Sequence, residues 1–80
     1  MSLFFPLSKV ESGIPYIITL IEDDCSPIMR RLGDLGFYPG RSISLLKKSM
    51  LNKSLLISLD GVEMMLRGDL GNKIIVKRKL

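Results

Sequence analysis

The residues best suited to chemistry lie in one acidic segment, in which Cys25 follows Glu22, Asp23 and Asp24. Carboxylates and a thiolate could in principle hold a hard or borderline metal ion. Three adjacent acidic residues in a loop do not supply the closed geometry that a metal site needs, and their charges disfavour the thiolate. We therefore interpret the segment as a solvated acidic loop, and we expect no bound metal and no cofactor.

The sequence contains no histidine and only one cysteine. The usual general base and the commonest transition-metal ligand are therefore missing, and neither a Ser–His nor a Cys–His pair can form. The glycines within 33–40 follow a predicted helix instead of preceding one, so they do not make a phosphate-binding loop. A single cysteine excludes an intramolecular disulfide and fits a reducing compartment. We expect a non-enzymatic, cytoplasmic protein.

The element that must position this part of the chain is a short, well-marked helix. Ser26 is a suitable N-cap because its hydroxyl accepts an orphan backbone N–H, and Pro27 suits the first helical position. Gly36 fits the left-handed residue that follows a helix end. The apolar positions that recur at one-face spacing are Ile28, Leu32 and Leu35.

Two further features concern the interior of the helix and the turn that follows it. Gly33 lies inside the helix, where it costs about 1 kcal/mol relative to alanine. This position indicates either the close approach of another backbone or a tolerated defect. Pro39-Gly40 then suits the two central positions of a type II turn. Arg30 and Arg31 are predicted on different sides of the helix, where they could bind an acidic partner, be solvated, or pair with Asp34.

The charge is distributed unevenly along the 80 residues. Residues 1–40 carry three Lys/Arg and five Asp/Glu (−2), and residues 41–80 carry nine and three (+6), which gives the net +4. A basic half is typical of a solvated strand face, or of a surface for an anionic membrane, an acidic protein or nucleic acid, the last through Lys73, Lys77, Arg78 and Lys79. The aromatic residues lie in the acidic half, so a base-stacking platform is missing and nucleic acid is not the expected partner. No apolar run approaches the ~20 residues of a membrane span.

Strand patterns surround the helix. The predicted strands are 14–21, 42–48, 54–59, 62–67 and 74–78, with a helical or 3₁₀ turn at 68–72. Short strands joined by strong turns favour a mainly β fold, a small closed or nearly closed barrel of about five strands. The one helix lies between the first and second of these strands and would plug one end.

The turns predict the register of the three central strands. The Asp60-Gly61 hairpin sets Leu59 opposite Val62, and a polar loop at 49–53 sets Lys48 opposite Ser54. One face then carries the expected core rows, which are Ile43, Leu59 and Val62, then Leu45, Ile57 and Met64, then Lys47, Leu55 and Leu66. The opposite face carries an apolar row of Leu46, Leu56 and Met65 between two more polar rows.

This outer row has two interpretations. It could be covered by the helix, the N-terminal segment or the closing strand. It could instead be a partner surface, because an exposed apolar patch with a polar rim marks a contact site and methionine repacks easily. In that case Leu46, Leu56 and Met65 would contact the partner, Arg30 and Arg31 would add steering, and a homo-oligomer contact is an alternative use.

The segment Arg31-Leu32-x-x-Leu35-Gly36-x-x-Pro39-Gly40, followed by a strand with Ile43, resembles the signature of the FeoA domain, a small cytoplasmic component of bacterial ferrous iron transport. The similarity covers about residues 7–77 of a single domain, with 1–6 as an N-terminal extension. It also includes Leu7, Gly13, Ile18, 62–67 and 70–76. Gly33 and Asp34 depart from the larger helix-forming residues that are frequent in the family.

The resemblance implies an SH3-like barrel with an inserted helix. It also implies a non-catalytic accessory that binds the cytoplasmic nucleotide-binding part of the large ferrous iron permease, FeoB. The same module occurs as a C-terminal domain of iron-dependent repressors, so a detached regulatory domain is an alternative, as is a small basic barrel that binds nucleic acid. Family membership alone does not imply an iron site, because the ligand types for one are missing.

Overall fold

The computed structural model describes residues 3–22 and 26–79 of the chain. Six antiparallel strands form one sheet in the order β1-β6-β2-β3-β4-β5. The strands are β1 (Phe5–Pro6), β2 (Pro15–Ile21), β3 (Ser42–Lys48), β4 (Ser54–Leu59), β5 (Val62–Arg67) and β6 (Ile74–Arg78); the helices are α1 (Pro27–Asp34) and α2 (Gly68–Gly71). Within this part of the chain, neither helix is long and apolar enough to cross a membrane.

The mainly β fold with one inserted helix is confirmed, and all five predicted strands are present as β2 to β6. The structure adds the short strand β1, in which Phe5 pairs with Val76 of β6. Pro6 is compatible with this position because β1 lies at the edge of the sheet, where a missing N–H breaks no ladder. The predicted turn after β5 is the single helical turn α2.

The ends of α1 are as predicted. The backbone N–H of Met29 donates to Ser26 Oγ at 3.2 Å, and Pro27 is the first helical residue. Gly36 has φ +102°, which is the left-handed region expected after the helix end. Gly40 has φ +97°, and the N–H of Arg41 donates to the carbonyl of Tyr38 at 3.3 Å, as in a type II turn.

The buried face of α1 differs from the predicted one. Met29 and Leu32 are buried, whereas Ile28 and Leu35 are exposed. The helix has only eight residues, and Phe37, directly after the glycine stop, is buried in the core in the place expected for Leu35. The apolar face is therefore rotated by about one residue, and α1 presents two aliphatic side chains to solvent.

Removal of the N-cap should destabilise the protein measurably. We expect Ser26→Ala to lower the free energy of unfolding by about 1 kcal/mol, because the Met29 N–H loses its acceptor. Ser26→Asp should retain most of the stability, since a carboxylate also caps. Urea unfolding followed by circular dichroism measures both. Equal stability of Ser26→Ala and the parent chain would contradict the capping role.

The hairpin between β4 and β5 has the predicted register, from Leu59 opposite Val62 to Ser54 opposite Arg67. Asp60 (φ +49°) and Gly61 (φ +88°) are both left-handed, which defines a type I′ turn. The predicted inward position of Val62 is wrong, because this side chain is exposed beside the turn on the last strand of the sheet.

The register between β3 and β4 is as predicted only for its first half. Ile43 pairs with Leu59 and Leu45 with Ile57, but a β-bulge then places Lys47 opposite Leu56. The predicted pairs Lys47–Leu55, Lys48–Ser54 and Leu46–Leu56 are therefore wrong. An unshifted register would turn Lys47 inward beside Leu55, which is fully buried, and burying an unpaired ammonium is costly. The bulge turns Lys47 to the outer face and places Lys48 opposite Leu55, at the end of the strand, where this lysine is also exposed.

One core lies inside the curved sheet. Its buried members are Leu7, Val10, Tyr16, Ile18, Met29, Leu32, Phe37, Ile43, Leu45, Leu55, Ile57, Leu59, Leu66, Ile74 and Val76. The 3₁₀ turn Leu7–Lys9 packs against α2, where Ser8 Oγ donates to Asn72 Oδ1 and a Cβ on Gly71 would overlap Leu55. These contacts join the segment that follows β1 to the segment that follows β5.

Candidate partner-binding surface

The outer face of β3, β4 and β5 carries the apolar stripe, defined as Leu46, Leu56 and Met65. Leu56 and Met65 lie directly opposite each other on neighbouring strands. Leu46 is the extra residue of the bulge, beside the pair of Lys47 with Leu56. Met65 is 64% exposed, Leu46 is 37% exposed and Leu56 is half-buried. The stripe is therefore open to solvent at its Met65 end.

Charged side chains border the apolar stripe. Lys47, Lys48, Glu63 and Arg67 are all exposed. Arg67 Nη2 lies 2.9 Å from Asp69 Oδ2, in a pair with both side chains more than 60% exposed, which contributes little to stability. An apolar strip with a mainly basic rim suits a partner with apolar side chains and nearby carboxylates.

The loop between β3 and β4 carries an apolar tip that sequence reasoning missed. This loop was expected to be polar, but Met50 and Leu51 are 89% and 83% exposed. The N–H of Ser54 donates to Ser49 Oγ at 2.8 Å, and the N–H of Ser49 donates to the Ser54 carbonyl at 2.9 Å. Leu51 has φ +62°, an unfavourable conformation for a branched residue. The signal available in the sequence was two large apolar residues inside a short polar loop.

Within the described residues, the two arginines of α1 are not joined to the apolar stripe by ion pairs. Arg30 and Arg31 are exposed on α1, as is Asp34. Among residues 3–22 and 26–79, no ion pair joins either arginine to Asp34 or to a residue beside the stripe. The steering role of Arg30 and Arg31 therefore stays a prediction.

A second feature missed in the sequence is a cluster around Arg41. Its guanidinium carbon lies 5.1 Å from the centroid of the Tyr38 ring, and Nη1 donates to the Tyr38 hydroxyl at 2.9 Å. Arg41 Nε lies 2.5 Å from Asp60 Oδ2, and Asp60 Oδ1 accepts the N–H of Ser42 at 3.3 Å. The cluster ties the turn after α1 to the β4–β5 turn, which no spacing in the sequence could indicate.

The basic end of β6 lies beside an open cleft of about 210 Å³. The cleft lies between β1, the 3₁₀ turn and β6, and it is lined by Phe5, Lys9, Val10, Glu11, Tyr16 and Arg78. The fold thus brings two aromatic residues to the basic strand, but Tyr16 is buried and Phe5 is only about one-third exposed. This arrangement offers no row of open rings on which successive bases could stack.

Within the described ranges, no group of three or more His, Cys, Asp or Glu side chains could hold a metal ion. The acidic loop considered from the sequence, Asp23, Asp24 and Cys25, lies outside the described residues. The candidate functional surface is the apolar stripe with its charged rim.

Six short antiparallel strands around one core, with a helix inserted between β2 and β3, define a small β-barrel domain of SH3-like architecture. The family model of the FeoA domain matches residues 5–78. The chain therefore belongs to the FeoA-domain family. No significant match is found among curated proteins.

Solved structures share this fold. Iron(II) transport protein A from Clostridium thermocellum has a TM-score of 0.83 at 23% identity over 92% of this chain, which spans 45% of that protein. FeoA from Stenotrophomonas maltophilia, solved with zinc and described as an SH3 domain protein, has a TM-score of 0.76 at 23% identity, covering 89% and 87% of the two chains. A manganese-dependent transcriptional repressor has a TM-score of 0.84 at 15% identity, covering 99% of this chain and 44% of the repressor.

Proposed function

We propose that this chain is a non-catalytic, cytoplasmic accessory of ferrous iron uptake that regulates a FeoB-type permease by binding its cytoplasmic domain. Membership of the FeoA-domain family supports the link to iron transport. A protein-binding role is supported by the outward-facing apolar stripe, since such patches with a charged rim are typical of contact surfaces.

The stripe is suited to a protein partner for two reasons. Leu56 and Met65 form a cross-strand pair, so the sheet fixes the positions of their backbones before a partner binds. Leu46 extends the same surface at the bulge, beside the exposed Lys47. Lysine and arginine at the rim would raise the association rate with an acidic partner, with a dependence on salt.

The test is a single charge placed in the centre of the stripe. We expect Leu56→Glu to weaken binding to the permease's purified cytoplasmic domain by at least about tenfold, because a carboxylate in place of leucine would have to lose water when the partner's apolar side chains cover the stripe. Isothermal titration calorimetry measures the affinity, and circular dichroism checks the fold.

Leu20→Glu is the matched control, since Leu20 is an exposed leucine on β2 outside the stripe. This variant should bind like the parent chain. Unchanged affinity of a folded Leu56→Glu would contradict the proposed surface, and no binding by the parent chain would contradict the proposed partner.

A further inference from the structure

Strand β5 is the last strand of the sheet and pairs with β4 alone in the described structure. In an antiparallel pair of strands, the backbone N–H and C=O groups of successive residues point alternately toward the partner strand and away from it. The two-residue type I′ turn makes Leu59 and Val62 a hydrogen-bonded pair. At the far end of the hairpin, the N–H of Gly68 donates to the carbonyl of Lys53 at 3.0 Å. Gly68 is even-numbered, as Val62 is, so both ends of the hairpin indicate the same alternation. The backbone N–H and C=O groups of the even-numbered residues of β5 therefore point toward β4.

The odd-numbered residues of β5 direct their backbone groups to the open side. These residues are Glu63, Met65 and Arg67, and all three are exposed. Arg67 is the N-cap residue of α2, so its carbonyl belongs to the start of the helix. The backbone groups left for a partner strand are the N–H and C=O of Glu63 and Met65 and the N–H of Arg67. An open edge of this kind can accept another strand.

We propose that a second copy of this chain occupies this edge, with the two β5 strands antiparallel about a two-fold axis at Met65. In this register Glu63 lies opposite Arg67 of the second copy at both ends, and the two Met65 residues lie opposite each other. About four backbone hydrogen bonds would form, two between the Met65 residues and one from each Arg67 N–H to a Glu63 carbonyl.

Charge complementarity selects this occupant and this register. The bonded residues must be odd-numbered on both strands, so the axis can lie at any residue from Glu63 to Arg67. An axis at Met64 or Leu66 places Met65 opposite a charged residue and forms no opposite-charge pair within β5. An axis at Glu63 or Arg67 places that charge opposite its own copy, which is destabilising, whereas the axis at Met65 gives two opposite-charge pairs. Arg67 already contacts Asp69 through Nη2, but its guanidinium has further donors for Glu63.

The two faces of the joined sheet are also compatible with this register. On the inner face Met64, which is half-buried, would lie opposite Leu66 of the second copy, so that two apolar pairs form. On the outer face the two Met65 side chains would meet, which joins both apolar stripes into one across the axis. Dimerisation through this edge requires no permease.

Charge variants in sedimentation equilibrium test the register. We expect the parent chain to dimerise in a concentration-dependent way. Glu63→Arg alone should weaken the dimer about tenfold or more, because both end pairs become like-charged, and Arg67→Glu alone should do the same. The double variant Glu63→Arg/Arg67→Glu should restore dimerisation, and an equimolar mixture of the two single variants should form a heterodimer.

The matched control is Glu11→Arg, which changes the net charge equally at an exposed glutamate away from β5 and should leave dimerisation unchanged. Backbone amide exchange gives a second readout, since the Met65 N–H should become more protected as concentration rises. A parent chain that stays monomeric up to roughly 1 mM would overturn the proposal. So would a dimer indifferent to the single charge variants, or one that the double variant fails to restore.

Discussion

Phe37→Ala is expected to lower the free energy of unfolding by about 3–5 kcal/mol. Phe37 is only 1% exposed, and it is the largest of the fully buried side chains. Its N–H also donates to the carbonyl of Leu32 at 2.9 Å, so the ring is fixed by the helix end. A domain of this length has a total stability on the order of 4–12 kcal/mol, so this single change should remove a large part of it.

Urea unfolding monitored by far-ultraviolet circular dichroism measures the loss. Tyr38→Ala is the control, because Tyr38 is the adjacent aromatic residue but is exposed and bonded only to Arg41 among the described residues. We expect its loss to be about 1 kcal/mol or less. Similar effects of the two substitutions would show that Phe37 does not join the helix end to the core.

Substitution of two glycines three residues apart should have opposite effects. Gly36→Ala is expected to destabilise the protein by about 1–3 kcal/mol, because alanine strongly disfavours φ +102°. An added Cβ at Gly36 would also lie 3.3 Å from Arg41 Nη2 and 3.4 Å from Leu59 Cδ2, so the arginine cluster would have to move.

Gly33→Ala should instead stabilise the protein by up to about 1 kcal/mol. A Cβ at Gly33 meets no other atom within 4 Å, which supports the interpretation of this glycine as a tolerated defect and not as a site of close backbone approach. Thermal and urea unfolding of the two variants compare them directly. A stabilising Gly36→Ala, or a clearly destabilising Gly33→Ala, would contradict the assigned backbone roles.

Much of the fold could be predicted because its turns are encoded locally. Ser26, Gly36 and the Asp60-Gly61 pair each specify backbone geometry by their own chemistry, and each has the predicted conformation. The β4–β5 register then followed by counting along the strands. The buried face of α1 could be predicted less well from local rules. Met29 is buried in place of Ile28, and this choice depends on how the helix packs against the sheet.

The bulge at Leu46 could have been anticipated from one conflict in the pattern. The counted register placed Lys47 in a core row beside Leu55, and the extra residue moves this lysine to the outer face, with Lys48 opposite Leu55 at the exposed strand end. The stripe could be predicted as an outward row, since strand alternation decides it. The Arg41 cluster and the open edge of β5 could not, because they depend on which distant elements meet and which strand ends the sheet.

The protruding loop tip has a consequence for oxidative damage. Among the methionines of the described chain, Met50 is almost fully exposed and Met29 is buried, so an oxidant in solution reaches the Met50 sulfur long before that of Met29. Conversion of Met50 to the sulfoxide would make the tip polar while the interior stays intact, and methionine sulfoxide reductases can reverse it. Of the methionines that the structure describes, the most exposed one therefore lies outside the buried core.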